Sequence, residues 1–296
     1  MTVGVNLGTN KNELISLSDE IDRMYITAGS TVFGGESGGL GLQGTPTRSE
    51  PGQPLGQFYG YQTNGIFQTQ AEADACGYTV NIGATPFNPR AGDLRYIDQN
   101  GDGRINTADQ VYIGNPWPKL THGLTLGTDW KRLIDIKAVF GGTYGNDILN
   151  CVQTFQHNFF ADYTSSPKIF EVSYFGDNEV TDKPRNAFVN NTTRGGLDRN
   201  GNWTQISDYH VEKGSYIQLR SLSIGFTAPR SWTSALRLSS LKVTFSGENL
   251  GLLTKYSGLT PLVSPQNRNI LTQGIETLSG RYPLSRLYSV GLNIDF

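Results

Sequence analysis

The final stretch of the chain, Arg286-Leu-Tyr-Ser-Val-Gly-Leu-Asn-Ile-Asp-Phe296, decides how the rest is read. Successive side chains of an extended strand point to opposite sides, so Tyr288, Val290, Leu292, Ile294 and Phe296 share one face. Ser289, Gly291, Asn293 and Asp295 share the other. An apolar face backed by a polar one, ending in an aromatic, suits the closing strand of an outer-membrane β-barrel, with lipid on one side and a wet lumen on the other. The same alternation suits the edge of a soluble β-sandwich. This strand alone leaves both architectures open.

The pattern recurs upstream. Ile134, Ile136, Ala138 and Phe140 alternate with Asp135, Lys137, Val139 and Gly141, and Leu241, Val243 and Phe245 alternate with Lys242, Thr244 and Ser246. Leu222, Ile224 and Phe226 alternate with Ser221, Ser223 and Gly225, while Ile217 and Leu219 stand in the opposite phase, which predicts a bulge near Arg220. Leu124 and Leu126 alternate with glycine and threonine, as do Val3, Val5 and Leu7 with glycine and asparagine. Seven strands are expected, over 1–9, 18–28, 119–129, 132–142, 214–227, 236–248 and 285–296, each about the 9–11 residues that a tilted strand needs to cross a bilayer.

The connections between them are unequal. Thr9 to Leu17, Asp129 to Arg132 and Ala228 to Ala235 are short, whereas 29–118, 143–213 and 249–284 are long and rich in Gly, Asn, Pro and Tyr. Strict alternation of short and long connections is the mark of a transmembrane barrel with short periplasmic turns and long external loops. A soluble sandwich has no reason to sort its loops in this way. An odd count of strands does not close a single-chain bacterial barrel, and open edges are a liability in lipid, so 1–296 is expected to be the C-terminal portion of a larger barrel.

Composition agrees and excludes other classes. Thirty-six Gly, 14 Tyr and 14 Phe among 296 residues lean towards β structure. A formal charge of -2 gives no basic field for nucleic acid. Mean hydropathy of -0.36 does not discriminate, because only alternate strand residues of a barrel face lipid. The residues after Met1 lack the basic and apolar regions of a signal peptide, so any export signal is expected outside this chain. Cys76 and Cys151 have no metal or redox spacing; they read as two ordinary thiols, with pairing in an oxidising compartment as the alternative.

Within 29–118 lies Asp98-Gln-Asn-Gly-Asp-Gly-Arg-Ile-Asn-Thr-Ala-Asp109, which follows the twelve-residue EF-type loop. Asp98, Asn100 and Asp102 occupy positions 1, 3 and 5, Gly103 the sharp turn, and the Arg104 carbonyl position 7. Asn106 takes position 9 and Asp109 stands where a bidentate Glu is usual; Ile105 should point inward as an anchor. Hard Ca²⁺ needs six to eight oxygens converging from one tight segment, and no helix pair flanks the loop, so a structural ion is expected rather than a sensor.

At this point the sequence resembles a known family. Gly92-Asp-Leu-Arg-Tyr-Ile-Asp-Gln-Asn-Gly-Asp-Gly103, Ile113-Gly-Asn-Pro-Trp-Pro118, Phe140-Gly-Gly-Thr-Tyr-Gly-Asn-Asp147 and Val211-Glu-Lys-Gly-Ser-Tyr-Ile-Gln-Leu-Arg220 are similar to the SusC/RagA family of TonB-linked outer-membrane transporters of Bacteroidetes. Gly60 to Phe67, Ser246 to Leu250, Thr254 to Gly258 and Tyr282 to Arg286 continue the resemblance in family order. It implies an all-β, 22-stranded, multi-pass barrel with an N-terminal plug. It further implies a SusD-like surface lipoprotein as lid, TonB as the source of energy, and oligosaccharides or peptides as cargo. The plug, the TonB-contacting segment and the earlier strands are not in this sequence.

Catalysis finds no footing. His122, His157 and His210 are far apart, and no Gly-x-Ser-x-Gly nucleophile motif occurs. In the second long connection Phe159, Phe160, Tyr163, Tyr174, Trp203 and Tyr209 offer two readings: rings that stack on sugars or meet a lid, or rings that pack the loop on itself or form the membrane's aromatic girdle. The alternative for the whole chain is a secreted calcium-dependent carbohydrate-binding β module.

Overall fold

The computed structural model describes residues 1–26, 42–82, 85–156, 159–160, 167, 174, 181–186, 188–189, 198–235, 237–265, 268–277 and 284–296. Its frame is a six-stranded antiparallel meander in chain order: β1 (Thr2–Gly8), β2 (Leu120–Trp130), β3 (Ile134–Tyr144), β4 (Tyr216–Thr227), β5 (Ser240–Thr254) and β6 (Leu287–Asp295).

The register carries the alternation of each strand across the whole sheet. Trp130, Ile134, Phe226, Val243 and Leu292 form one row, and Thr128, Ile136, Ile224, Phe245 and Val290 the next. On the opposite face, Thr2, Gly127, Lys137, Ser223, Ser246 and Ser289 line up, with Ser246 Oγ 2.7 Å from Ser289 Oγ. Lys242 reaches Asp135 on this face at 2.6 Å. Among the described residues no second layer covers the apolar side, where Leu7 is 70 % and Val290 73 % exposed. A soluble sandwich would bury such a face. The register slips between Leu219 and Ser221 and opposite them between Val139 and Phe140, so the bulge at Arg220 is real.

One strand expected from the sequence does not join the sheet. In 18–28 only Met24–Ile26 is extended among the described residues, and it pairs with Thr47–Ser49 outside the meander. The physical reason is charge: Asp19 and Arg23 would occupy one face of such a strand, Glu20 and Asp22 the other, so either orientation would put charge into lipid. Residues 9–17 are accordingly not a hairpin turn; Leu14 exchanges backbone bonds with Gly52 and Gln53 instead. The first long connection therefore runs over 9–119, not 29–118. The connections now alternate long, short, long, short, long.

The short connections lie at one rim. Lys131 and Arg132 turn β2 into β3, with Leu133 N–H donating to the Trp130 carbonyl at 2.9 Å, and helix α1 (Arg230–Ala235) lies between β4 and β5. At the other rim the three long connections pack together. Phe58 from the first, Leu149 and Ile206 from the second and Ile275 from the third share one apolar core. A second core gathers Tyr61, Leu94, Tyr96, Ile105 and Tyr174. A four-stranded sheet (Met24–Ile26, Thr47–Ser49, Gln57–Tyr61, Gln110–Gly114) and a three-stranded one (Val211–Lys213, Asp147–Asn150, Ile275–Glu276) complete this outer body.

Candidate functional site

The outer body holds the candidate residues, among them the 98–109 loop. Gly101 and Gly103 take φ of 73° and 76°, conformations that favour glycine, and this lets the chain wrap around Asp98. Asp98 accepts the N–H of Gly101 and of Gly103, each at 2.8 Å. Asn100 accepts from Asp102 N–H at 2.9 Å, Asp102 from Arg104 N–H at 2.8 Å and Asn106 from Ala108 N–H at 2.8 Å. The Gly103 N–H, foremost among these donors, holds the Asp98 carboxyl below the usual carboxylate range. Ile105 is fully buried, and Arg104–Ile105 pairs in parallel with Thr79–Val80, which anchors the loop.

The first half of this loop fits a hard cation. Each side-chain oxygen that accepts one N–H keeps a further lone pair, and Asn100 and Asp102 face solvent. The closing position does not fit. Asp109 is fully buried and spends its oxygens on Gln99 N–H (3.0 Å) and Asn106 N–H (2.8 Å), the second bond forming a capping box over Thr107–Asp109. Among the described residues no three His, Cys, Asp or Glu side chains are grouped to hold a metal.

Two of the loop aromatics, Trp203 and Tyr174, are core, while Tyr209 is half-buried. Trp203 is fully buried, donates its indole N–H to the Arg185 carbonyl at 3.0 Å, and meets Tyr209 edge-on at 5.8 Å. Tyr174 is buried and donates to the Gln68 carbonyl at 3.0 Å. Neither ring is free to stack on a sugar, because a large ring contributes more to a packed loop than a polar loop otherwise has. Tyr163 lies outside the described residues. Cys76 and Cys151 are unpaired, and burial pushes the Cys151 thiol up.

The buried polar ties within and between the three connections carry no sequence motif recognised above. Asp93, fully buried, pairs with Arg185 at 2.5 Å and accepts from Asn202 Nδ2 at 2.9 Å. Asp198 accepts from Asn202 N–H, Trp203 N–H and Thr204 Oγ, and burial raises its carboxyl to about 6. Glu276 accepts from the Tyr256 hydroxyl at 2.5 Å and from the N–H groups of Leu259 and Thr260. One signal was present: Asp198-Arg-Asn-Gly-Asn repeats the spacing of Asp98-Gln-Asn-Gly-Asp, and both form the same side-chain-to-backbone turn. Such carboxylates, held inside a loop, position backbone rather than carry out chemistry.

Comparison with known proteins gives a consistent picture. The chain is 28% identical over 293 residues to TonB-dependent receptor P3 of Formosa agariphila, covering 98% of this chain and 26% of that protein. It is 21% identical over 295 residues to TonB-dependent receptor SusC of Bacteroides thetaiotaomicron, covering 98% of this chain and 24% of that protein. It superposes on a chain of the RagAB peptide transporter with a TM-score of 0.69 at 18% identity, over 99% of this chain and 27% of that one. No family model matches. The chain thus spans about a quarter of the length of the relatives it matches.

Proposed function

Taking the chain as a segment of an outer-membrane β-barrel of the TonB-dependent receptor type, we propose that it serves nutrient import as a run of wall strands with part of the outer cap of the transporter. The cargo is an oligosaccharide or a peptide, the energy comes through TonB, and a SusD-like lipoprotein closes over the outer body. The observation that carries this reading is the segregation of connections: all three long ones share cores at one rim, while the two short ones lie at the opposite rim among the described residues. A lid needs a shaped, rigid surface to close on, and buried Asp93, Asp198 and Glu276 supply that rigidity. Cells lacking the full receptor should lose TonB-dependent uptake of a labelled oligosaccharide or peptide pool, and the receptor should co-purify with a surface lipoprotein. Undiminished uptake of both pools would overturn the proposal.

We further propose that Ca²⁺ binds the first half of the 98–109 loop through Asp98, Asn100, Asp102 and the Arg104 carbonyl, with water in place of Asp109. Isothermal titration of the full receptor should detect calcium binding that Asp102→Ala abolishes. Equal binding by parent and variant, or none by the parent, would refute the site.

A further inference from the structure

We propose that the short-turn rim is a docking surface for the anionic headgroups of bilayer phospholipids, formed by Lys131, Arg132, Arg230 and Arg237 around Trp130 and Trp232; this rests on the outer-membrane reading above. The argument begins with backbone conformation. Lys131 and Arg132 both have positive φ, 50° and 56°, at the two central positions of the β-turn that Leu133 N–H closes on the Trp130 carbonyl, within the three-residue loop 131–133. Such turns favour Asn-Gly, because an ordinary L-residue in the left-handed region is disfavoured. Arg237, in the neighbouring turn, has φ 55°. Three strained positions at one rim are therefore filled by long cations where glycine or asparagine would fold more easily. Backbone strain retained in this way points to a use for the side chain.

The four cations are exposed, and among the described residues no ion pair engages any of them. Nearby acidic groups do not neutralise them. Asp129, Asp135 and Asp295 lie on the polar face of the sheet, Asp135 is paired with Lys242, and Asp295 accepts from Ser240. The aromatic residues, in contrast, are on the apolar side. Trp130 belongs to the row of Ile134 and Phe226, and Trp232 packs on Phe226 with ring centroids 6.0 Å apart. Trp130 and Phe226 are two strand spacings apart, or roughly 10 Å, so the two indoles sit at one level. Lys131 Nζ lies 4.8 Å from the Trp130 ring centroid, which places this cation on the lipid side. Thr227 N–H donates to the Leu133 carbonyl at 2.7 Å, joining the two turns into one surface. Indoles at headgroup depth with unpaired cations just beyond them match the apolar-then-anionic profile of a phospholipid leaflet.

The test compares lipids retained by the full receptor in mixed phosphatidylglycerol and phosphatidylcholine nanodiscs. The parent should enrich phosphatidylglycerol. Lys131→Asn with Arg132→Gly installs the favoured turn pair, so the hairpin should fold at least as well, yet enrichment should fall roughly fivefold per cation removed. Arg230→Gln with Arg237→Gln should lower it similarly, and Lys137→Gln, on the polar face, should leave it unchanged. A parent that retains both lipids without preference, or turn variants that keep the preference, would overturn the headgroup surface while leaving the barrel intact. A parent that takes no lipid of either kind would overturn the membrane reading beneath it.

Discussion

Removing the Trp203 indole distinguishes a structural ring from a ligand-stacking one. Its side chain is fully buried between Tyr209, His210 and the Arg185 carbonyl. A buried tryptophan removes some 150–250 Å² from water, which at about 25 cal/mol per Å² is roughly 4–6 kcal/mol of transfer free energy. Partial collapse of the vacated space reduces this, and measured truncations of large core rings fall at about 3–5 kcal/mol. Trp203→Ala also leaves the Arg185 carbonyl with the longer 3.5 Å bond from Asn202 Nδ2, whereas Trp203→Phe keeps most of the apolar area and loses chiefly the indole bond, at about 0.5–1.5 kcal/mol. Because a lost core contact is felt first in local opening, the appropriate readout is hydrogen exchange of amides 198–210 in the full receptor. Protection should fall strongly in Trp203→Ala and modestly in Trp203→Phe. Unchanged protection together with lost cargo binding would refute the packing argument and restore the ring to a binding role.

Two further outcomes follow from the same body. Gly60 has no room for a methyl group, since a Cβ would overlap the Ile206 carbonyl that accepts from Tyr61 N–H, so Gly60→Ala should uncouple the first and second connections and expose Ile206 to exchange. Burial raises Asp198 from 3.8 to about 6 and lowers His210 from 6.5 to about 3. The native state binds extra protons through Asp198 between pH 4 and 6, so that contribution declines as pH rises through this window; His210 stays neutral while the unfolded residue protonates, so its contribution is lost as pH falls below 6.5. The histidine shift is the larger, so protection of 198–210 should weaken on acidification from pH 6.5 to 4. Asp198→Asn should steepen that slope and His210→Phe reverse it.

The frame was legible in the sequence because the two-residue alternation is local. Leu222, Ile224 and Phe226 declared their face, and the phase change at Leu219 located the bulge at Arg220. Ile105 was recognisable as an anchor for the same reason. Residues 18–28 depart from that rule, because Asp19 and Arg23 put charge on one face of a strand and Glu20 and Asp22 on the other. The aromatics and buried carboxylates of the outer body were not legible. Whether Trp203 is exposed depends on Arg185, Tyr209 and His210, and Glu276 finds Tyr256, Leu259 and Thr260 only after the third connection folds back. No local periodicity encodes contacts of that kind.

The central claim is that one face of the meander meets lipid and the other water. Spin labels at Val243 and Thr244, adjacent on β5 and on opposite faces, test it directly in the full receptor carrying Cys76→Ser and reconstituted in bilayers. Collisional relaxation should show the Val243 label favouring dissolved oxygen and the Thr244 label favouring an aqueous nickel chelate. Equal chelate access at both positions would contradict the barrel assignment.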